Sequence, residues 1–319
     1  MLLAPLTGAP RYPGVMKRTA GILLVVAALL GASCGDDGED GGPVTGAECD
    51  RRVQESSFKR SLGEDVEAYG IVVNSDLSVG PNRLLVGVLD SNDAPIGSPE
   101  MDVSMKLFDI CESTEEPVAS TDTDFIWTIE PVQGVFVGRA EFDDPGAYGA
   151  EITIEGDGIE ETVRTPFEVK PRSSTPAIGA PAPSSDTKTL DDVNSIELLT
   201  TDQSPDRSFY ELSIADAVAA GEPFVVVFST PKFCTSAVCG PTLDIVKGVE
   251  PDHPDVNFVH VEVYELPADV SNLKTVPAVG EWGLPSEPWV FVVGADGNIV
   301  AKFEGGVGAD ELDAVLGDL

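Results

Sequence analysis

Short apolar segments that alternate with polar residues fill the chain between residues 64 and 170. Turn residues separate these segments, for example at 143–146 and at 156–158. A succession of such segments predicts an all-β sandwich. The predicted strands are residues 66–73, 84–89, 103–110, 125–129, 135–142, 148–154 and 162–169.

A different pattern begins near residue 176, where apolar strands alternate with amphipathic helices. Residues 224–228 form an unbroken apolar run, which is typical of a strand buried on both faces of a parallel sheet. Ser213 and Gly221 are residues expected at the two ends of a helix just before that strand. Further helices are predicted at 241–248, 281–284 and 310–319, and further strands at 256–263, 289–293 and 298–303. This order predicts an α/β domain over residues 176–319, after a Pro/Ser-rich linker at 171–191.

The first residues have the composition of a targeting segment. Met16-Lys17-Arg18 supplies positive charge, residues 21–30 are apolar, and Gly31-Ala32-Ser33-Cys34 closes the run with small residues. Because spanning a bilayer takes about 20 apolar residues, residues 1–33, starting at Met16, are predicted to be a signal peptide. The pattern resembles a bacterial lipoprotein signal, which implies that Cys34 becomes a lipidated first residue. With an ordinary cleaved signal, Cys34 would instead remain a free thiol.

Residues 34–63 are predicted to be an acidic, flexible tether because the segment begins with a run rich in Gly and Asp. Together with a lipid on Cys34, this tether predicts an extracytoplasmic protein anchored to the bacterial cell membrane. The whole chain has 55 acidic and 19 basic residues, a formal net charge of −36. Such a surface repels nucleic acid and anionic lipid head groups, so both are poor partners for the folded part, and no nucleic-acid partner is predicted.

Five cysteines occur in the chain, and export permits disulfides between them. If Cys34 is set aside, the remaining four allow three pairings. Cys234 and Cys239 are close in sequence, so their pairing leaves Cys49 with Cys111. A Cys49–Cys111 bridge would be structural and would tie the N-terminal segment to the sandwich; two free thiols are the alternative.

One turn of the predicted sandwich carries a family resemblance. Asp144-Pro145-Gly146-Ala147-Tyr148 resembles the tyrosine corner of immunoglobulin-like domains. Ala150 stands where antibody domains carry a core cysteine, so the resemblance implies an immunoglobulin-like sandwich without that internal disulfide. The segment contains no histidine and no nucleophile paired with a base, which favours a spacer or binding module.

The candidate chemistry lies after the apolar run 224–228. Three features resemble an exported thioredoxin-family domain: Cys234…Cys239-Gly240-Pro241, the stretch Trp282-Gly-Leu-Pro-Ser-Glu-Pro288-Trp289, and the terminal hairpin and helix. The resemblance implies a thioredoxin fold, a cis peptide bond before Pro288 beside the cysteines, and thiol–disulfide exchange without a cofactor. In the family's order Cys234 attacks and Cys239 resolves.

The spacer between the cysteines, Thr-Ser-Ala-Val, is two residues longer than in that family. Phe233 replaces a tryptophan, and Val227 stands where thioredoxin has a buried aspartate. On a regular helix, residues five apart are about 8 Å apart, whereas a disulfide needs a Cα separation below about 7 Å. We therefore expect a loop at Cys234 and a helix that begins at Pro241. This placement favours a thiolate on Cys239, against the family's order.

The leading prediction is a thiol–disulfide oxidoreductase that acts on the thiols and disulfides of exported proteins. A non-enzymatic binding protein with a structural 234–239 disulfide is the main alternative. A Sco-like copper-delivery protein is another, although its distal histidine is missing, since His253 and His260 precede the expected position. A peroxidase is a further alternative, on the basis of Thr230-Pro231, but its spacing and its arginine are missing.

Overall fold

The computed structural model describes residues 46–58 and 66–319. The predicted signal peptide over 1–33, the predicted lipidation site Cys34 and the Gly/Asp-rich start of the predicted tether lie outside the described residues. Among the described helices, none combines the length and the apolar character needed to cross a bilayer. The described residues belong to one compact unit.

The predicted β-sandwich is confirmed. Two four-stranded antiparallel sheets face each other, with strand orders β1-β2-β6-β5 and β4-β3-β7-β8. The strands are β1 Ala68–Val72, β2 Gly80–Asp90, β3 Asp102–Asp109, β4 Ala119–Asp122, β5 Asp124–Ile129, β6 Gln133–Phe142, β7 Gly146–Gly156 and β8 Ile159–Val169. Strand β4 is the one that apolar alternation does not predict, because Ala-Ser-Thr-Asp is a polar edge strand without buried residues.

The sandwich core consists of residues that point inward from both sheets, and it includes Leu84, Phe136, Ile152 and Tyr148. The Tyr148 hydroxyl donates to the backbone oxygen of Asp144 at 3.0 Å, which is the contact that a tyrosine corner makes. Burial raises the pKa of Tyr148 to about 12, so the hydroxyl keeps its proton. Ala150 is fully buried, at the position where antibody domains carry a core cysteine.

Part of the segment predicted as tether is a helix, which corrects the prediction for residues 34–63. Helix α1 spans Gly46–Glu55, and a disulfide joins its Cys49 to Cys111. Arg52 Nη1 donates to the backbone oxygen of Cys111 at 2.7 Å, and Phe58 is fully buried with its ring 5.1 Å from that of Phe108. The Gly/Asp-rich composition ends at residue 46, and from there the disulfide and Phe58 hold the chain against the sandwich.

The C-terminal region is a mixed α/β layer structure. Its elements are α2 Ile214–Ala220, β9 Phe224–Ser229, α3 Cys239–Val249, β10 Asn257–Glu262, α4 Pro277–Glu281, β11 Trp289–Val293, β12 Ile299–Glu304 and α5 Ala309–Gly317. The sheet order is β10-β9-β11-β12, with β10 parallel to β9 and the other pairs antiparallel. Every residue of β9 and of β11 is buried.

Both faces of this sheet are covered by helices. On one face α2, α4 and Trp282 pack on Phe224, Val226 and Phe228 of β9. On the other, α3 and α5 pack on Val225 and Val227. This double cover explains why β9 is an unbroken apolar run in the sequence.

The segment predicted as a linker over 171–191 is bound to the rest of the protein at its start and near its middle. Buried Asp76 accepts hydrogen bonds from Ser173, Ser174 and Thr175, and Ala182 donates its N–H to Gly297 O at 2.9 Å. Burial alone would raise the pKa of Asp76, but these bonds and one from Lys170 outweigh it, and the pKa is lowered. The segment is rich in Pro and Ser, as predicted, but it is not a free linker. Its Ser and Thr hydroxyl groups hydrogen-bond to Asp76 of the sandwich.

Candidate redox site

The end of strand β9 fixes the position of Cys234. The backbone oxygen of Thr230 accepts the N–H groups of Phe233 at 3.3 Å and of Cys234 at 3.1 Å, which closes a turn directly after the strand. Cys234 is disulfide-bonded to Cys239, with a Cα separation of 6.0 Å. Cys234 is half-buried, whereas Cys239 is fully buried. Cys234, the less buried of the two, is therefore the one that an outside thiol or disulfide can reach.

Helix α3 begins at Cys239, so the prediction that Pro241 marks its first residue is wrong by two positions. Proline is tolerated there because the first N–H groups of a helix have no partner within the helix. The spacer lies outside the helix, as the distance argument requires. Ala237 adopts a left-handed conformation with φ 62° just before the helix.

The N–H of Cys239 points at the sulfur of Cys234, with a distance of 3.4 Å between the nitrogen and Sγ. This amide belongs to the first turn of α3, where N–H groups and the helix dipole stabilise negative charge. The hydroxyl of Ser236 is also 3.4 Å from that Sγ. When the bridge is reduced, these groups favour a thiolate on Cys234. This contact is made to Cys234, whereas helix placement alone predicts the thiolate on Cys239, and which cysteine attacks stays a prediction.

Pro288 lies at the same end of the sheet as the cysteine loop. Trp289 pairs with Phe228 in the antiparallel β11–β9 ladder, which puts Pro288 opposite Ser229, the last residue of β9. The Glu287–Pro288 peptide bond is cis, as the resemblance implies. The backbone oxygen of Pro288 accepts the N–H of Gly305 at 2.9 Å.

A buried polar cluster lies under the loop, and its centre is His260 on β10. Its Nδ1 is 2.7 Å from the Tyr210 hydroxyl, and its Nε2 is 2.9 Å from Ser229 Oγ. Burial lowers the pKa of His260 to about 4, so the ring is neutral at neutral pH. Because both ring nitrogens are hydrogen-bonded, His260 has no free nitrogen to offer a copper ion.

Glu262 is a residue of this cluster that the sequence reasoning missed. It is the last residue of β10, paired in register with Ser229, and its Oε2 accepts from Thr201 N at 2.8 Å and from Thr201 Oγ1 at 2.7 Å. Burial raises the pKa of Glu262. The available signal was the sequence Val-His-Val-Glu, in which two titratable residues interrupt an apolar strand.

The other carboxylate oxygen of Glu262, Oε1, lies near the hydroxyl of Thr230. Within the described residues, Glu262 Oε1 and Thr230 Oγ1 are both buried without a hydrogen bond of normal geometry. The Thr230 hydroxyl is nevertheless close enough to oppose the rise in the pKa of Glu262. A protonated Glu262 can donate to Thr230 Oγ1, whereas an ionised Glu262 can only accept from the threonine hydroxyl. The raised pKa therefore favours a neutral carboxylic acid on Glu262, next to Thr230, the residue at which the cysteine turn begins.

Lys232 and the aromatic residues form the outer part of the site. The exposed Lys232 has its Nζ 5.6 Å from the centre of the Phe233 ring. Phe233 packs edge-on against Tyr264 at 6.1 Å. Among the described residues, no group of three or more His, Cys, Asp or Glu side chains is arranged to hold a metal ion.

Comparison with known proteins assigns no family to the chain. No protein-family model matches it, and no curated protein does so either. Among solved structures it is similar to a DUF4426 family protein from Pseudomonas aeruginosa, with 14% identity over 35% of this chain and 96% of that one, at a TM-score of 0.25. It is also similar to the Lin-41 filamin domain, with 9% identity over 34% and 95% of the two chains, at a TM-score of 0.20. Similarities this weak carry no inference about function, which has to be argued from the chain's own residues.

Proposed function

We propose that this chain is an extracytoplasmic thiol–disulfide oxidoreductase with a thioredoxin-like C-terminal domain. Cys234 is the attacking thiolate and Cys239 the resolving thiol. The observation that carries the proposal is the contact between the Cys239 N–H and the Cys234 sulfur at the start of α3. A structural disulfide has no need of a thiolate-stabilising amide, whereas an exchange site does.

Three further features support the thioredoxin-like assignment. The elements follow the order β9-α3-β10-α4-β11-β12-α5, with β9 and β11 at the centre of the sheet. The cysteines follow the first of these strands, and a cis proline precedes β11 at the same edge. Membrane anchoring through a lipid on Cys34 remains part of the proposal and places the site among exported proteins.

The exchange transfers two electrons between the cysteine pair and a substrate disulfide. In the reducing direction, the Cys234 thiolate attacks one substrate sulfur, which forms a mixed disulfide and releases the other substrate sulfur as a thiolate. Cys239 then loses its proton and attacks Cys234 Sγ, which releases the second substrate thiolate and restores the 234–239 bridge. The reverse sequence oxidises a substrate dithiol, and the relative potentials of the two couples set the direction.

Two single variants test the proposal. Cys239→Ser leaves the attacking thiol without a resolver, so it should accumulate mixed disulfides with exported proteins, visible on non-reducing gels. Cys234→Ser should trap far less, because Cys239 is buried. The double variant Cys49→Ser with Cys111→Ser, which removes the other disulfide without leaving an unpaired thiol, should trap no more partner than wild type.

A specific result would overturn this function. If neither variant traps a partner and the wild-type pair resists a small dithiol in the folded protein, then the 234–239 bridge is structural. The chain would then be a binding protein on a thioredoxin-like fold.

A further inference from the structure

We propose that the β-sandwich forms one wall of the substrate site and binds an apolar side chain of the exported polypeptide, next to a basic residue that pairs with Glu287. This inference rests on the proposed function of the cysteine pair. It gives the sandwich a role that the cysteine chemistry alone does not require.

A cavity of about 340 Å³ lies between the cysteine loop and the outer face of the sheet β1-β2-β6-β5. On the side of the cysteine loop, Ser236 and Val238 line it, and both belong to the segment between the two cysteines. Ser286 and Glu287, which precede Pro288, line it as well. An occupant of this cavity is therefore in contact with the segments that flank the disulfide.

The sandwich contributes the apolar wall. Strand pleating turns Leu84 and Val86 into the sandwich core, so Leu85 faces outward from β2. Together with Val135 from β6 and Val73, which follows β1, Leu85 lines the cavity. Val73 is 43% exposed, so the apolar wall continues to the solvent-accessible rim.

The size of the cavity limits what it can hold. Ligand pockets in proteins range from about 300 to 1,000 Å³, so this cavity takes one or two side chains rather than a folded surface. Because its wall is mostly aliphatic, it favours a side chain such as leucine. Removing such a side chain from water strengthens binding by about tenfold to hundredfold. An unfolded segment with an accessible cysteine can supply this side chain and reach Cys234 together.

The acidic residues that line the cavity favour a basic residue next to the apolar side chain of the bound polypeptide. Two acidic residues line the cavity and no basic residue does. Glu304 already accepts hydrogen bonds from Ser75 N at 2.7 Å and Asn74 Nδ2 at 3.2 Å. Glu287 has no hydrogen bond or ion pair within the described chain, and burial raises its pKa. A lysine or arginine beside the apolar residue would supply the missing partner of this carboxylate.

The test compares two variants of the full chain that place the same charge at two exposed valines of the sandwich. Val73→Lys removes apolar wall and repels a basic residue, whereas Val79→Lys lies outside the cavity at a position that is 38% exposed. The substrate is a peptide with leucine and lysine beside a cysteine that is linked by a disulfide to a chromogenic thiol. For each variant, the rate at which this peptide disulfide is reduced is divided by the rate at which the symmetrical disulfide of the chromogenic thiol is reduced. This ratio measures the contribution of the peptide separately from the reactivity of the cysteines. We expect this ratio to fall at least tenfold in Val73→Lys and to stay at the wild-type value in Val79→Lys.

Two further measurements complete the test. Glu287→Gln should reduce the preference for the lysine peptide over its glutamate counterpart. Fluorescence anisotropy of a labelled peptide with serine in place of cysteine measures binding to the oxidised protein, so it tests the cavity even if no disulfide is reduced. Equal binding by both lysine variants, or equal binding of the leucine and serine versions of the peptide, would overturn the inference. Loss of all disulfide reduction with intact peptide binding would overturn the proposed function instead.

Discussion

Arg83 of β2 and Glu311 of α5 form a bidentate ion pair that joins the sandwich to the C-terminal region. Arg83 Nε and Nη2 each lie 2.8 Å from a carboxylate oxygen of Glu311, and the two side chains are only 9% and 14% exposed. Arg83 also donates to the backbone oxygen of Gly306 at 3.0 Å. The outer face of the sandwich is therefore joined to the C-terminal region by a buried ion pair of defined geometry.

The first prediction concerns this pair. Arg83→Ala leaves Glu311 buried without its main partner, so we expect a loss of about 3–5 kcal/mol in the free energy of unfolding. Arg139 is the matched control, because its Nη2 lies 3.6 Å from the same carboxylate while its side chain is 76% exposed. Arg139→Ala should cost no more than about 1 kcal/mol. Urea unfolding followed by fluorescence measures both, and equal losses would show that Glu311 is well solvated.

Several elements could be predicted because their cause is local. The apolar run at β9 reflects burial on both faces, and Ser213 caps α2 through a reciprocal hydrogen-bond pair with Asp216. Both disulfides could be predicted because Cys234 and Cys239 are close in sequence, which leaves Cys49 to pair with Cys111. The strand and the helix cap are each specified by residues close together in sequence. The disulfide pairing follows from the spacing of the cysteines and needs no knowledge of the fold.

The rest depends on contacts between distant residues. Arg83 and Glu311 are 228 positions apart, and nothing near either one indicates a buried pair. In the sequence Glu262 is only a polar interruption of a strand, and its role depends on Thr201 and Thr230, which surround it in the fold. The start of α3 was misplaced because proline at the first helical position and proline at the third are both permitted by its missing N–H. Sequence alone therefore located the cysteines but not the buried polar residues that surround them in the fold.

The second prediction concerns the Cys49–Cys111 bridge. It closes a loop with a sequence separation of 62, so the chain-entropy argument predicts that replacing both cysteines by serine costs about 4 kcal/mol. The 234–239 bridge, with a separation of 5, should contribute only about 2 kcal/mol. Thermal unfolding of the two double-serine variants measures the difference. A smaller loss for the 49–111 variant would mean that α1 retains its contacts in the unfolded chain.

The third prediction concerns acid stability and His260. Its pKa is lowered to about 4 in the folded protein, so the unfolded chain binds a proton first as the pH falls. Stability contributed by the neutral ring is complete above about pH 6.5 and is lost between there and pH 4, by about 3 kcal/mol in all. Urea titrations at pH 7, 6 and 5 measure this slope.

Two variants separate the histidine's charge from its hydrogen bonds. His260→Gln should be less stable at pH 7 but should have a flatter dependence between pH 7 and 5. Tyr210→Phe removes the hydrogen bond to Nδ1 and keeps the buried ring, so it should lose about 1 kcal/mol and retain the slope. An unchanged slope in His260→Gln would assign the acid sensitivity to other groups.

The last prediction concerns Glu262, whose dependence on pH has the opposite sign. Because burial raises its pKa, the folded protein keeps a proton that the unfolded chain releases, and stability falls as the pH rises from about 4.3 through the folded pKa. Glu262→Gln carries a permanently neutral group of the same shape, whose amide can donate to Thr230. We expect it to match wild type at pH 4 and to be more stable than wild type at pH 8.

Glu265→Gln separates this effect from a general decrease in negative charge, because Glu265 is exposed on the same segment. If the gain at pH 8 appears in Glu265→Gln to the same extent, it comes from the net charge of the protein and not from burial of Glu262. If Glu262→Gln is less stable than wild type at pH 8, then the carboxylate is ionised in the fold and the Thr201 hydrogen bonds outweigh its burial. In that second case Glu262 would only accept hydrogen bonds beneath the cysteine turn, and the Thr230 hydroxyl would be the donor to it.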